Sequence, residues 1–259
     1  MILHELRLFF TALQFFTRLP VPRWVGYQPE WLNDSARYFS LVGTCIGAVA
    51  AAVLWAATWL FPVSVAVGLS MLATVVLTGA FHEDGLADTC DALGGAVSRE
   101  RALEIMKDSR IGTYGAVGLL LVLGLKATTL AALPLWWAMP ALLLGHAASR
   151  TAAVALIRFV PYAGDVDQAK AKPLARRISG LGLVVACGWA SLVGALIVVW
   201  SPSSWEAVVL ALGLTMLGGW ACARWFLRRL GGITGDTLGA TQQITELLML
   251  LGWLAWVHR

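Results

Sequence analysis

Charged residues are scarce in this sequence. Asp, Glu, Lys and Arg make up 13% of its 259 residues, whereas ordinary soluble domains contain about 25%. Hydrophobic residues make up 59%, and 13 residues are tryptophan. This composition excludes an ordinary soluble domain and predicts an all-α, polytopic transmembrane helical bundle. We expect a single integral membrane domain over residues 1–259.

Cysteine is also sparse, and the four cysteines are isolated from one another. The sequence has no CxxC pair and no histidine at the distance from a cysteine that zinc motifs require. It therefore lacks the usual signatures of a zinc site or a disulfide framework. The formal net charge is only +4, and nothing in the sequence indicates a nucleic-acid partner. The expected macromolecular environment is therefore a lipid bilayer.

Seven apolar runs are each close to the ~20 residues that span a hydrocarbon core. We predict seven transmembrane helices, with an error of one or two. An N-terminal helix before them carries Ile2, Phe9 and Phe16 on one face and ends at Pro20, which is typical of an amphipathic helix at the membrane interface. A helix that packs in the bundle core is the alternative. The apolar runs cover residues 40–61, 63–81, 114–133, 136–157, 181–200, 207–226 and 238–257.

Basic residues are divided unevenly between the two sets of connecting loops. Alternate connections carry clusters of Arg and Lys, whereas those around Pro62, Pro134 and residues 201–204 carry none, and only Arg259 departs from the pattern. By the positive-inside rule, the N-terminus and all the polar loops lie on the cytoplasmic side. A functional site built from these loops would face the cytoplasm.

An acidic stretch follows the second apolar run. Residues 78–91 read TGAFHEDGLADTCD and contain Glu83, Asp84, Asp88 and Asp91. If the preceding helix continues at about 100° per residue, all four carboxylates lie on one face. Clustered carboxylates at a membrane boundary need a cation, and oxygen ligands suit Mg²⁺, Mn²⁺ or Ca²⁺ better than zinc. The alternative is a solvated helix end that is merely acidic.

Two other polar segments carry candidate phosphate ligands. GGITGD at 231–236 offers Thr234, Gly235 and Asp236 before the last apolar run, where backbone N–H groups bind phosphate or a carboxylate binds metal. Helix capping alone explains this pattern equally well. A second segment contains Lys107, Asp108 and Arg110. Its two cations suit a polyphosphate ligand. The alternative is a basic cytoplasmic loop that only reflects the positive-inside rule.

Two cations lie well inside predicted spans. Lys126 and Arg150 need counter-anions there, and His146 shares a helical face with Arg150. The acidic stretch, a phosphate that enters the bundle, and a purely structural ion pair are the three alternatives.

Four stretches together resemble the cobalamin synthase family, the adenosylcobinamide-GDP ribazoletransferases. They are LQFFTRLPVP at 13–22, FHEDGLADTCDALGG at 81–95, RALEIMKDSRIGTYGA at 101–116 and GGITGDTLGA at 231–240. The resemblance implies an enzyme of the bacterial inner membrane with a cytoplasmic active site. Such an enzyme joins adenosylcobinamide-GDP to α-ribazole or its 5′-phosphate, releases GMP and requires Mg²⁺.

The resemblance also implies roles for the residues singled out above. We expect Asp88 or Asp91 to be catalytic and to take the proton of the ribazole hydroxyl. Association with other cobalamin-assembly enzymes and homo-oligomerisation are left open. The expected metal ligands are Glu83, Asp84, Asp88 and Asp236, and the expected substrate-binding residues are Lys107, Asp108, Arg110, Lys126, Arg150, Thr234 and Gly235.

Two other functions stay as alternatives at this stage. A CDP-alcohol phosphotransferase also uses clustered aspartates, but its motif needs an Ala-Arg dipeptide, and LADTCDALGG after Asp84-Gly85 contains no arginine. A cation transporter would place polar residues through both halves of the membrane, whereas the half opposite the basic loops is nearly free of them.

Overall fold

The computed structural model describes residues 2–164 and 174–259, and the secondary structure in these ranges is almost entirely helical. The predicted all-α class is confirmed, and one long helix covers most of each of the seven apolar runs. The helices are α1 (Ile2–Phe16), α2 (Trp31–Ser35), α3 (Phe39–Ala57), α4 (Val63–Thr78), α5 (Phe81–Gly94), α6 (Arg99–Ile105), α7 (Thr113–Ala132), α8 (Leu135–Phe159), α9 (Gly180–Trp200), α10 (Trp205–Leu230) and α11 (Gly235–Val257).

Five segments of the described chain are long and apolar enough to cross a membrane, and the bent pair α4–α5 raises the number to six. The prediction of about seven spans is confirmed within its error. Large apolar side chains on these helices face outward, for example Leu120, which is 74% exposed, and Val199, which is 79% exposed. Such surfaces are those that lipid chains cover.

The second apolar run does not continue straight into the acidic stretch, and this part of the prediction is wrong. Gly79 (φ 72°) and Ala80 (φ 59°) are consecutive left-handed residues that separate α4 from α5. The two helices meet at 90°. The left-handed conformation costs an L-residue roughly 1–2 kcal/mol, so the surrounding packing must hold Ala80 there. The N–H of Arg18 donates to the Leu77 carbonyl at 2.8 Å, beside this turn.

Helix α11 is the central element of the bundle. It packs against α5, α7, α8 and α10, and Met249, Leu250 and Trp253 on it are fully buried. Helix α1 packs through Leu8 and Phe16 among others, while its first turns expose Ile2. An apolar surface on α1 is thus available to the membrane interface.

Candidate active site

The acidic helix α5 crosses the first turns of α11 at a contact between glycines. A Cβ built on Gly85 would lie 2.7 Å from the Asp236 carbonyl oxygen, and one built on Gly239 would lie 3.4 Å from the Gly85 Cα. No side chain fits between the two backbones. The structure therefore brings together the acidic motif and the GGITGD motif, which lie about 150 residues apart in the sequence.

Two further connections meet α11 at the same end. The N–H of Ala163 donates to the Ile233 carbonyl at 2.8 Å, and the N–H of Ile233 donates to the Pro161 carbonyl at 2.8 Å. The Thr234 hydroxyl donates to the Met106 sulfur at 3.6 Å, which joins the segment after α6 to α11. The segments that follow α6, α8 and α10 thus converge beside α5.

Thr234, a predicted phosphate ligand, caps α11. Its hydroxyl accepts from the N–H of Thr237 at 3.3 Å, while the Thr237 hydroxyl accepts from the N–H of Thr234 at 2.8 Å. This reciprocal pair is a capping box that satisfies two of the free donors at the helix start. Because the Thr234 hydroxyl also donates to Met106, its visible role is to fix the loop geometry.

The four carboxylates of α5 face different neighbours. Glu83 points toward α11, where its Oε1 accepts from Gln243 Nε2 at 3.0 Å. Asp91 points toward the start of α7, where Oδ2 accepts from the N–H of Gly112 at 2.7 Å and Oδ1 from that of Gly115 at 2.8 Å. Asp84 is exposed and Asp88 is half-buried. These two aspartates are one helical turn apart on α5.

The described residues contain no group of three or more His, Cys, Asp or Glu side chains arranged to hold a metal ion. Magnesium is commonly bound by one or two carboxylates together with substrate phosphates and water, rather than by a complete protein cage. Asp84 and Asp88 supply oxygen donors of that kind. The buried Oε2 of Glu83, which has no hydrogen-bond partner among the described residues, is a further unused donor nearby. The donor set fits a cation that arrives with a polyphosphate.

The predicted cations Lys107 and Arg110 lie between α6 and α7 and are exposed. Arg110 holds Asp108 in a forked pair, with Nη2 to Oδ2 at 2.6 Å and Nε to Oδ1 at 3.0 Å. The guanidinium lowers the pKa of Asp108 to about 2, mainly through these hydrogen bonds. Gly112, two residues after Arg110, donates its N–H to Asp91. Asp91 therefore attaches this basic segment to the acidic helix.

The buried cation Lys126 forms an ion pair with Glu246, a residue that the sequence analysis did not single out. Glu246 Oε2 also lies 3.1 Å from His146 Nδ1, and Arg150 Nη1 donates to the His146 carbonyl at 3.0 Å. We call Lys126, His146, Arg150, Gln242 and Glu246 the polar network. Of the three alternatives for Lys126, the structure shows a structural ion pair and not a contact with the acidic stretch.

The polar network lies deep in the bundle. Lys126 follows the start of α7 by 13 residues, which corresponds to about 20 Å along the helix axis. That depth is more than half of a hydrocarbon core of about 30 Å. The signal for Glu246 was present in the sequence, because an ionisable residue in an apolar run is unusual and needs a partner.

An aromatic cavity lies between α1, α3, α5, α8 and α11, next to the glycine contact. It has about 400 Å³ of empty space, part of it open to solvent. Gly235, a predicted substrate ligand, and Gly239 are among its walls, and so is Arg150. The other lining residues are Phe15, Phe16, Phe39, Phe81, His82, Ala153, Ile157, Leu174, Ala175, Leu238 and Gln242.

Comparison with known proteins gives matches over nearly the whole chain. An adenosylcobinamide-GDP ribazoletransferase of Leptothrix cholodnii is 59% identical over 259 residues, covering 99% of this chain and 98% of that protein. Proteins of the same name from Shewanella amazonensis and Vibrio cholerae are 48% and 43% identical, with coverage of 94–98% of each chain. No solved structure matches. Because residues 8–254 match the cobalamin-5-phosphate synthase family, the chain belongs to that family.

Proposed function

We propose that this protein transfers the cobinamide phosphate of adenosylcobinamide-GDP to α-ribazole or α-ribazole 5′-phosphate, with release of GMP. The observation that supports this proposal is the contact of α5 with the start of α11, because Gly85, which lies between Asp84 and Asp88 in the sequence, meets the backbone of Asp236 in the first turn of α11. The relatives that cover nearly the whole chain bear the name of this activity. Neither a phospholipid-forming phosphotransferase nor a cation transporter has comparable support.

The reaction is a displacement at the phosphorus that is attached to cobinamide. A ribose hydroxyl oxygen of the acceptor forms the new P–O bond, the bond to the GMP phosphate breaks, and the hydroxyl proton moves to a base. In phosphoryl transfer the protein forms few covalent bonds, so most of the rate enhancement comes from positioning the reactants and stabilising charge. The acceptor oxygen and the leaving phosphate must lie on opposite sides of the phosphorus.

Asp84 and Asp88 are the residues that would hold Mg²⁺ with the diphosphate, and Glu83 and Asp236 are the other carboxylates of the proposed set. When bound, Mg²⁺ supplies neutralisation of the non-bridging oxygens and favours attack on phosphorus. The fit lies in the oxygen-only chemistry of these side chains and in the unused Oε2 of Glu83. This magnesium dependence is part of the proposal.

Asp88 is the better choice for the base. Both oxygens of Asp91 accept backbone N–H groups of Gly112 and Gly115, so Asp91 serves to hold the start of α7. Asp88 is half-buried on the same helix as Asp84, one turn farther along. We assign Asp88 to the acceptor proton and Asp91 to the position of the basic segment.

Lys107 and Arg110 would meet the phosphate of the departing GMP. Both are exposed, and the Asp91 contact keeps their segment beside α5. Arg110 is already oriented by Asp108, and a planar guanidinium suits two phosphate oxygens at once. The positive-inside pattern supports a cytoplasmic location of this surface in a bacterial inner membrane.

GMP release from purified protein in liposomes tests the proposal. Wild-type protein supplied with adenosylcobinamide-GDP, α-ribazole 5′-phosphate and Mg²⁺ should release GMP, and omission of the acceptor or addition of a chelator should stop it. Asp84→Ala and Asp88→Ala should each reduce turnover by at least about a hundredfold, the lower range for loss of an acid–base group. Both variants should remain folded by size-exclusion chromatography.

Glu104→Ala provides the matched control for these variants. Glu104 is an exposed carboxylate on α6, and it pairs with Arg101 at 2.9 Å. Its loss should leave GMP release unchanged. Near-normal rates for either aspartate variant would contradict the metal and base assignments.

A further inference from the structure

Three buried polar side chains around the aromatic cavity have atoms without hydrogen-bond partners in the described part of the chain. They are His82 Nε2, Arg150 Nε and Gln242 Oε1. The residues are 3%, 1% and 2% exposed, and all three line the cavity. Burial of a polar group without a partner is costly, and most such groups in proteins are paired. These atoms therefore indicate a ligand with polar atoms of its own.

The cavity walls favour a flat ligand. His82 stacks on Phe16 with ring centroids 5.4 Å apart and planes at 13°, and the Arg150 guanidinium lies over the same ring at 5.3 Å. Phe15 and Phe39 form a second parallel pair, 5.6 Å apart at 9°. Walls built of aromatic rings contact planar ligands through ring faces and ring edges.

The size of the cavity limits the choice further. Its empty space of about 400 Å³ includes the open solvent at its mouth, so the enclosed part accepts a single ring system and not a large ligand. A corrinoid macrocycle with its side chains has several times as many atoms as one heterocyclic base. The corrinoid part of the donor thus belongs outside this cavity.

We infer that the aromatic cavity receives the planar nitrogen heterocycle of the acceptor nucleoside, with its ring nitrogen facing Arg150, His82 and Gln242. This inference rests on the proposed function. Gly239 lines the cavity and also contacts Gly85 of the acidic helix. A base in the cavity consequently leaves its ribose beside Asp84 and Asp88, where the attacking hydroxyl is needed.

The guanine of the leaving GMP is the other planar heterocycle in the reaction. Guanine has several donors and acceptors around its edge, and the described lining residues of the cavity include three buried polar side chains among mostly apolar walls. Its remaining polar atoms would be buried without partners, at a cost in free energy. The apolar walls favour the base of α-ribazole, which has fewer polar atoms.

Equilibrium dialysis with purified protein in detergent, without the corrinoid substrate, tests this inference through Ala153→Phe. Ala153 lines the cavity, so the larger side chain should fill it and weaken α-ribazole binding at least about tenfold. Ala155→Phe is the matched control, because Ala155 lies on the same helix outside the lining. GMP should bind both variants like the wild type. The KM for α-ribazole in the liposome assay is the second measurement. It decides the test when the binding of α-ribazole alone is too weak to detect by dialysis.

Phe81→Ala is a second cavity variant, and it keeps the inference testable when Ala153→Phe does not fold. Phe81 lines the cavity and is 40% exposed, so its truncation disturbs little of the core. Loss of one base–aromatic contact, about 1–3 kcal/mol, corresponds to roughly 5- to 140-fold weaker binding at 1.4 kcal/mol per tenfold. Phe159→Ala, which removes an exposed ring away from the cavity, should have no effect.

Three results would overturn the inference: unchanged α-ribazole Kd and KM in both cavity variants, weakened GMP binding alone, or an equal loss of both ligands. Failure of the proposed function is a separate result. Wild-type protein that binds α-ribazole in a manner sensitive to Ala153→Phe, but releases no GMP, would keep the cavity assignment and reject the reaction.

Discussion

Replacement of Asp91 by asparagine separates a structural anchor from a catalytic base. Each oxygen of Asp91 accepts one backbone N–H at the start of α7, from Gly112 at 2.7 Å and Gly115 at 2.8 Å. A carboxamide has a single acceptor oxygen, and its NH₂ group would face the other backbone donor. Asp91→Asn therefore loses one charge-assisted bond and weakens the second.

The cost can be worked from these two contacts. Hydrogen bonds to charged groups contribute about 1.5–3 kcal/mol each and neutral ones about 1 kcal/mol. Because Asp91 is half-buried, we take the low end, and the variant should lose about 2 kcal/mol of loop attachment. That loss is roughly thirtyfold in the equilibrium between attached and detached segments, at 1.4 kcal/mol per tenfold.

Steady-state kinetics in liposomes then distinguish the two roles. If Asp91 is an anchor, Asp91→Asn should raise the KM for adenosylcobinamide-GDP by up to about thirtyfold, because only the attached fraction binds substrate, and kcat should change by less than about threefold. Asp88→Asn should instead lower kcat by about a hundredfold or more. A collapse of kcat in Asp91→Asn, with near-normal kcat in Asp88→Asn, would refute our assignment.

Two further changes test the packing that holds the site. Glu246→Gln alone should lower the free energy of unfolding by about 3–5 kcal/mol, because it leaves the Lys126 ammonium buried without a counter-ion. Addition of Lys126→Met should restore most of that loss. Thermal unfolding in detergent measures the coupling between the two changes, and additive losses would contradict the ion pair. Gly85→Ala should cost about 1–3 kcal/mol and reduce GMP release, because its Cβ would meet the Asp236 carbonyl at 2.7 Å. Gly124→Ala, where no atom of the described residues lies within 4 Å of the new Cβ, should keep full activity.

The sequence was sufficient for the helices because apolar runs of about 20 residues have few alternatives to a helix in a membrane. It was insufficient at the junction of α4 and α5. Gly79 was visible as a helix terminator, but Ala80 adopts its left-handed conformation because of the tertiary packing. Helical periodicity alone predicts one continuous helix through this junction.

The candidate site was only partly readable for a similar reason. Residue types showed that α5 is acidic, yet the partners that separate Glu83 from Asp91 are Gln243 and the Gly112 backbone, which lie on other segments. Glu246 was overlooked because its partner Lys126 precedes it by 120 residues. The aromatic cavity likewise combines five helices, and no local pattern indicates it.

The pairing of Lys126 with Glu246 has a consequence for biogenesis. A ribosome releases α7 long before α11, so the translocon must accept a lysine whose counter-ion has not yet been synthesised. A central lysine opposes insertion by roughly 2.5–3.5 kcal/mol, which the leucines and valines of α7 must outweigh. A nascent chain that stops before its last helix lacks the counter-ion of Lys126, and the unpaired ammonium then carries the full cost of its place in an apolar span.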